Sequence, residues 1–526
     1  MFDVIIVGAG TAGCVLAEAL TRSGRRRVLL VEAGGEPASR FVTIPAGFTK
    51  LFKGPLDWNL ESEPQAGAGG VRIYTPRGRM LGGSSNMNAQ IHQWCHPADF
   101  EGWVGAGASG WGWGDVAPVF KAQERWLGAD GDATRGRDGP MVVSPNRNAR
   151  RSAHAFVEAA RASGLGTQPH YNGQAFQGAW MCELAHRDGK RYSCYDAYLK
   201  PAMRRPNLEV LIDAHVSRIL LEEGRATGLE VHRGGKAQSF RSGAVVLAAG
   251  AFGTPQLLML SGIGPAAELA RHGITPVLDA PEVGANLQDH PVAGVSFNTP
   301  GTDTLLRAES LRSLFDYLLR KRGMLASNGV EAFAFTQVEP GPVSAPDLEL
   351  IFLPFERRNH FLEPPRVHAF SIGTAVVAPR SRGRLSLRSA DPLAAPAIDL
   401  GLLTDPEGID RKVLLAGARL ARRIAATAPL AAENAGELSP GAGTQSDEAL
   451  LAHLHADLQT VYHPSSTCRM GSDARAVVDP QLRVHGVRGL WVADASVMPS
   501  VPRGHPNAVV AMIAQRAAGW IDGAGA

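Results

Sequence analysis

The sequence predicts an α/β protein in which a discontinuous Rossmann-type dinucleotide-binding domain is interleaved with an α+β domain built on an antiparallel sheet. Three observations carry this expectation. The chain opens with an apolar strand, a glycine-rich turn and a helix. Two short apolar runs far downstream, 244–248 and 489–493, have the character of buried parallel strands. Between about residues 291 and 458 the pattern changes to alternating strands such as 384–387 with helices such as 410–425.

The opening unit is the most explicit. Residues 4–7 are continuously apolar, and the turn Gly8-Ala9-Gly10-Thr11-Ala12-Gly13 follows with the G-x-G-x-x-G spacing. In such a turn one glycine makes the bend, one admits a pyrophosphate to the backbone and one lets the helix pack closely on the strand. Val15, Leu16, Ala19 and Leu20 then recur at helical spacing. A second apolar run, 28–31, ends at Glu32, whose carboxylate is placed to accept hydrogen bonds from ribose hydroxyls and to repel a 2′-phosphate. NADP is therefore disfavoured. Stretches 37–70 and 126–146, dense in Gly, Pro and charge, read as long surface excursions, some able to form a lid. The domain boundaries that follow are 1–150 and 191–290 for the dinucleotide domain, completed by 459–526, with 151–190 and 291–458 forming the substrate domain.

Composition removes several classes. The 526 residues are 44% hydrophobic and 20% charged, enough for two interdependent cores. The net charge of +3 arises from 53 basic and 50 acidic side chains without a long basic block, so nucleic acid is not an expected partner. Cys14, Cys95, Cys182, Cys194 and Cys468 are scattered, with no C-x-x-C, and suggest neither a disulfide framework nor a zinc cluster. No H-E-x-x-H or G-x-S-x-G occurs, so metal hydrolysis and a serine nucleophile elbow are not expected. The first strand begins almost at Met1, leaving no room for a signal peptide, and no run of 18 uncharged apolar residues is present. A cytoplasmic protein without an integral membrane segment is expected; peripheral contact with a membrane stays open.

Five longer stretches decide between nicotinamide and flavin. Gly78-Arg79-Met80-Leu81-Gly82-Gly83-Ser84-Ser85-Asn86-Met87-Asn88, Gly250-Ala251-Phe252-Gly253-Thr254-Pro255 running on to Ser261-Gly262-Ile263-Gly264, and Val283 to His290 are three of them. His463-Pro464-Ser465-Ser466-Thr467-Cys468-Arg469-Met470-Gly471 and Val492-Ala493-Asp494-Ala495-Ser496 leading to Pro506-Asn507 complete the set. Together they resemble the glucose-methanol-choline (GMC) oxidoreductase family nearly end to end. The resemblance implies FAD as cofactor, with Gly82 to Asn88 around the flavin ring, Val216 on the adenine, and Asp494 and Ala495 at the ribityl and pyrophosphate. Cofactor contacts are expected from Gly8, Gly10, Thr11, Ala12, Gly13, Glu32, Ala33, Arg79, Gly82, Gly83, Ser84, Asn88, Val216, Asp494, Ala495, Asn507 and Ala508. Where members with covalent flavin carry a histidine, this chain aligns Met87, so noncovalent FAD is expected. The stretch His92-Gln93-Trp94-Cys95 departs from the family pattern; His92 and Trp94 either face the substrate or pack against the Gly-rich loop.

The resemblance also implies the chemistry: oxidation of a primary alcohol to an aldehyde, with hydride transfer to flavin N5. His463 matches the family's catalytic histidine, and an imidazole suits proton acceptance near neutral pH. Asn507 aligns with the second family position, read as a neutral hydrogen-bond partner for the substrate oxygen and as the opening residue of an apolar helix over 509–521, where it also suits an N-cap. His505, two residues earlier, is passed over on register. Tyr462 reads as a packed aromatic, and His453, His455 and His485 as surface or capping residues. Oxygen or a quinone-type acceptor would reoxidise the flavin. A lyase of the same fold acting without net redox, such as a hydroxynitrile lyase, is the alternative. A quaternary ammonium substrate would need an aromatic or acidic cage, for which Phe352, Phe355 and Glu356 are candidates.

Overall fold

The computed structural model describes residues 1–129, 133–166, 168, 170–341 and 343–523. Strand β1 (Phe2–Val7) runs into helix α1 (Thr11–Thr21) and returns in β2 (Val28–Val31). Both strands are almost wholly apolar and buried, as central parallel strands covered on both faces must be. On the far side of β1 lies β3 (Lys236–Leu247), followed by helix α2 (Gly250–Leu260). β3 is long enough for two tasks. Its second half pairs in parallel with β1 and its first half pairs antiparallel with Arg225–Arg233, which in turn pairs with His215–Glu222. Near the C-terminus β4 (Leu490–Val492) adds in parallel to β3, and helix α3 (Asn507–Gly523) packs on α1. The short run 489–493 is thus a strand of the N-terminal sheet, as its apolar character predicts.

A second seven-stranded sheet is antiparallel throughout. Its spatial order is Glu437–Ser439, Pro291–Asn298, Ala369–Val376, Leu348–Leu353, Ala332–Thr336 and Gly178–Met181, with Gln459–Thr460 also pairing on Pro291–Asn298. Helices Arg151–Ala162 and Ile409–Ala425 pack on one face. Gly417 lets the second come close, since a Cβ there would meet Leu348 at 2.7 Å and Thr374 at 3.0 Å. Alternation along Leu348–Leu353 sends Phe352 to this helix side, where it stacks on Phe156 at 5.1 Å, and sends Ile351 and Leu353 to the other face.

Two expectations change in detail. Gln459–Thr460 belongs to the antiparallel sheet, so a boundary between 458 and 459 falls beside a strand of that sheet. The run 384–387 forms a small hairpin, Arg384–Ser386 with Ala397–Asp399, whose connecting residues Pro392 to Pro396 lean over the dinucleotide cleft.

The excursions are better ordered than their composition suggests. Within 37–70, the 3₁₀ turn Pro45–Leu51 carries Phe48 inward. Within 126–146, Arg135 is fully buried between Glu124 and Glu183; residues 130–132 of that stretch lie outside the described residues.

Candidate active site

The turn at Gly8–Gly13 is built as the spacing requires. Gly8 has φ +94°, and a Cβ on it would lie 2.6 Å from the carbonyl oxygen of Ala248. A Cβ on Gly13 would lie 1.8 Å from the Gly8 carbonyl oxygen, so only glycine permits α1 to start so close to the strand. Gly10 is different: a Cβ there meets nothing within 4 Å and would project into open space. As N-cap it has no side chain to satisfy the first amides of α1, which point into the same space and are suited to an anion. The second glycine loop backs onto this one, since a Cβ on Gly83 would approach Gly10 Cα to 2.7 Å.

These elements border a cleft of about 530 Å³ running between β1, β2 and α2. Gly8, Gly10, Thr11, Ala12, Glu32, Ala33, Arg79, Gly83, Ser84, Val216, Asp494 and Ala495 all line it. Glu32 accepts hydrogen bonds from the amides of Ala9 and Gly34, both at 2.8 Å, and burial raises its pKa to about 7 against their opposing effect. Asp494 is fully engaged: one oxygen accepts from Gly250 N and Thr254 Oγ1, the other from Ser496. It ties β4 to the start of α2 beside the cleft. The glycine surface at a helix N-terminus and the strand-end carboxylate fit a dinucleotide such as FAD.

Not every predicted contact reaches the cleft. Gly13 and Gly82 act beneath it as packing glycines, Asn88 and Asn507 line a neighbouring cavity, and Ala508 is buried in α3 outside both linings. Trp58, His215 and the turn at Pro392 also line the cleft. Those three carry no motif, and the proximity of Trp58 to His215 (ring centroids 6.0 Å) arises only in the fold.

The neighbouring cavity, about 230 Å³, shares Thr11, Arg77, Ser84, Pro464, Ala495 and Val510 with the cleft and so joins it end to end. Its walls are Phe48, Phe52, Phe361 and Tyr462 with Ile91, Val292, Val330, Ile351 and Leu353. Among the described residues no carboxylate lines it, and its two arginines are committed: Arg77 donates to the Tyr462 carbonyl at 2.6 Å, and Arg357 is paired with Asp457. Met87 lies in its wall.

His463 enters this cavity on a tightly held loop. Its backbone N–H and that of His290 both donate to Asp289 Oδ1 at 2.8 Å, and Ser465 Oγ donates to the His463 carbonyl. Tyr462 just before it has φ +65°, an unfavourable conformation for a bulky residue, maintained by the Arg77 contact and by Thr460 Oγ1 accepting from its N–H. Three imidazoles meet here. His463 Nδ1 and His290 Nδ1 are 3.0 Å apart in a hydrogen bond, and the His505 ring stands edge-on to His463 at 5.0 Å. His505 Nε2 is in turn 2.8 Å from Oε1 of the fully buried Glu349.

Burial is the main electrostatic influence. It pushes the His463 pKa well below the usual imidazole value, with His505, His290 and Arg77 adding to the effect. His290 is lowered to about 3 by burial, then by His505 and Arg503. Asp289 is raised to about 6, burial outweighing its hydrogen bonds and Arg77. Near neutrality His463 is therefore an unprotonated base inside an apolar chamber.

The structure rearranges several expectations. Asn507 opens α3 and lines the cavity, but its Oδ1 accepts from Thr11 Oγ1 at 2.7 Å, which ties it to the cofactor turn. The side chain standing against His463 is His505. His290 and Glu349 complete the group; neither was singled out in the sequence, because the bonds that recruit them span 173 and 156 residues. His92 and Trp94 line neither cavity; Trp94 Nε1 lies 3.1 Å from Glu124 and its ring stacks on Phe120. Tyr462 is a cavity wall as well as a packed aromatic, edge-on to Phe52. The proposed ammonium cage does not assemble: Phe352 faces the helices, Phe355 packs on Phe361 behind the wall, and Glu356 accepts from Arg366 N. Among the described residues no group of His, Cys, Asp or Glu is arranged to hold a metal ion.

Comparison with known proteins gives the same picture. Two family models described as GMC oxidoreductase match residues 2–292 and 379–514. An uncharacterized GMC-type oxidoreductase of Mycobacterium tuberculosis is 43% identical over 99% of both chains. An alcohol dehydrogenase [acceptor] of Pseudomonas putida is 36% identical over 98% of this chain and 95% of its own. The crystal structure of pyridoxine 4-oxidase from Mesorbium loti superposes with a TM-score of 0.90 at 31% identity, covering 98% of each chain. The chain belongs to the GMC oxidoreductase family and is an FAD-dependent oxidoreductase acting on CH–OH groups.

Proposed function

We propose that the protein oxidises a neutral, apolar primary alcohol to the aldehyde, with His463 as proton acceptor and His505 as hydrogen-bond partner of the substrate oxygen. The observation that carries this reading is the pair of facing imidazoles in an apolar chamber that opens directly onto the dinucleotide cleft. The apolar walls bind the alcohol's carbon skeleton, and the absence of a carboxylate from the lining speaks against a cationic amino alcohol.

FAD, when bound, supplies the acceptor for the carbinol hydride. The chain's own residues do the rest. The bond between His463 Nδ1 and His290 Nδ1 suits the tautomer in which His463 carries its proton on Nδ1, and that tautomer leaves the Nε2 lone pair free to take the hydroxyl proton. Burial keeps that imidazole unprotonated at neutral pH, so no prior deprotonation is needed. His505, steadied by Glu349, orients the oxygen as its proton leaves. Asn507 and Thr11, bonded to each other at the join of the two cavities, belong on this reading to the cofactor side. With FAD bound, the start of α3 at Asn507 would favour negative charge on the reduced ring.

Relatives named as a dehydrogenase and an oxidase favour net redox over the lyase alternative. The test is anaerobic mixing of purified holoenzyme with a panel of alcohols. Bleaching of the flavin absorbance supports oxidation, and persistence or return of colour on admitting air separates a dehydrogenase from an oxidase. Failure of every alcohol to bleach the flavin would overturn the proposal.

A further inference from the structure

The helix Leu311–Arg320 (LRSLFDYLLR) turns its apolar side outward. Ser313 and Tyr317 are its buried residues, whereas Leu311, Phe315, Leu318 and Leu319 are 85%, 65%, 59% and 66% exposed. Positions i, i+4, i+7 and i+8 fall within roughly a 100° arc of a helix, so the four form one stripe. Among the described residues the other exposed large apolar side chains are scattered along the chain, and only this helix gathers them. A stripe of this kind contributes nothing to the core and marks a surface that is covered in use.

Its charge identifies what covers it. Arg312, Asp316 and Arg320 follow on the adjoining arc of the same helix, with Arg307 just before and Lys321 and Arg322 just after. Residues 307–322 hold five basic side chains (Arg307, Arg312, Arg320, Lys321, Arg322) and two acidic ones (Glu309, Asp316), a surplus of 5 − 2 = 3 that equals the net charge of the whole 526-residue chain. Glu309 is itself committed to Lys50 at 2.6 Å. An apolar stripe bordered by cations is the pattern of a helix lying in the plane of a membrane interface, apolar residues among the acyl chains and cations at anionic headgroups. Among the described residues no helix is long and apolar enough to cross a membrane, so the contact is peripheral.

We propose that this helix docks the protein on an anionic lipid bilayer surface. The docking has a bearing on the site. The Lys50–Glu309 pair joins the turn before the helix to the 3₁₀ segment Pro45–Leu51, and the turn Met324–Ala326 after it packs on the same segment. That segment contributes Phe48 to the wall of the substrate cavity, and Val330 follows shortly after the second turn. The cavity wall is thereby held next to the phase in which apolar alcohols and quinones dissolve.

The test is flotation of the full-length holoenzyme with vesicles of phosphatidylcholine alone or mixed with phosphatidylglycerol, at low and high salt, beside the double variant Phe315→Glu, Leu319→Glu. Both substituted positions are exposed, so flavin content and turnover of a water-soluble alcohol are expected to match the wild type and to report an intact fold. Wild-type protein is expected to float with phosphatidylglycerol vesicles, less so in high salt, and the variant at least ~tenfold less. Absence of wild-type flotation, or equal flotation of the variant, overturns the proposal. Light scattering that shows a wild-type dimer broken by the same variant overturns it too, by assigning the stripe to a second copy of the chain.

Discussion

Replacing His463 with alanine tests the proton-transfer assignment directly. General-base catalysis by a positioned side chain is worth about 10² to 10⁴ in rate, or roughly 2.7–5.4 kcal/mol at about 1.36 kcal/mol per decade. The structure argues for the upper half of that range. The other titratable groups lining the cavity are poor substitutes: His505 Nε2 is held by Glu349, burial pushes the Tyr462 phenol far up, and Arg77 and Arg357 are cations engaged elsewhere. Because the walls that bind the carbon skeleton are untouched, KM is expected to change by less than about threefold while kcat falls about 10³ to 10⁴. Stopped-flow reduction of the flavin under anaerobic conditions reads the chemical step separately from reoxidation. The pH profile supplies a second check. A pKa lowered below 6.5 means that the base form persists as pH falls, so wild-type kcat/KM should stay level through pH 6.5 and decline only well below it. A variant within tenfold of wild type in flavin reduction, or an acid limb centred at 6.5 or higher, would refute the reasoning.

Three further outcomes follow from the geometry. Gly13→Ala forces a Cβ to within 1.8 Å of the Gly8 carbonyl oxygen, an overlap expected to cost about 3 kcal/mol or more and to yield flavin-free protein of lower Tm, whereas Gly10→Ala meets no atom within 4 Å and should fold normally yet bind FAD weakly; the ratio of flavin to protein absorbance and a melting curve distinguish the two. Leu353→Trp, which fills the substrate cavity from the sheet side, should raise KM for a bulky aromatic alcohol roughly tenfold and leave a two-carbon alcohol almost unaffected; equal effects on both would place the substrate elsewhere. His505→Ala strands the Glu349 carboxylate in the interior and should cost about 1–3 kcal/mol in unfolding free energy as well as turnover, while Glu349→Gln, which keeps an acceptor oxygen for the ring, should retain most of the stability.

What could be read in the sequence was what is local. The glycine spacing at Gly8 to Gly13 predicts the turn because Gly13 answers to the Gly8 carbonyl five residues away and Gly8 to the end of the adjoining strand, while Gly10 leaves open the space the cofactor needs. The apolar runs at 244–248 and 489–493 predict membership of the opening sheet because parallel strands covered on both faces are uniformly apolar. The parity of Leu348–Leu353 was beyond such reasoning. Alternation is visible in any strand, but which set of residues faces the cavity depends on where the helices Arg151–Ala162 and Ile409–Ala425 pack, so Phe352 looked as eligible as Ile351. The placing of His505 and Asn507 was out of reach for a related reason. Both lie at the start of α3, and only the contacts with Glu349 and Thr11, drawn from distant segments, show which ring stands against His463.

The hydrogen bond between Thr11 and Asn507 closes a loop of 496 residues, and β1 gains its neighbour β3, and through it β4, from the middle and the very end of the chain. Synthesis from the N-terminus therefore exposes the glycine turn first and leaves its surroundings unfinished until residues 490–507 have been made. During that interval β1 and β2 have only each other, and the free edge of β1 is an apolar strand edge, a hazard for aggregation and a natural target for chaperones. Cofactor capture becomes a late event, and a protein cut short before α3 would be recognisable in the cell by its lack of yellow colour.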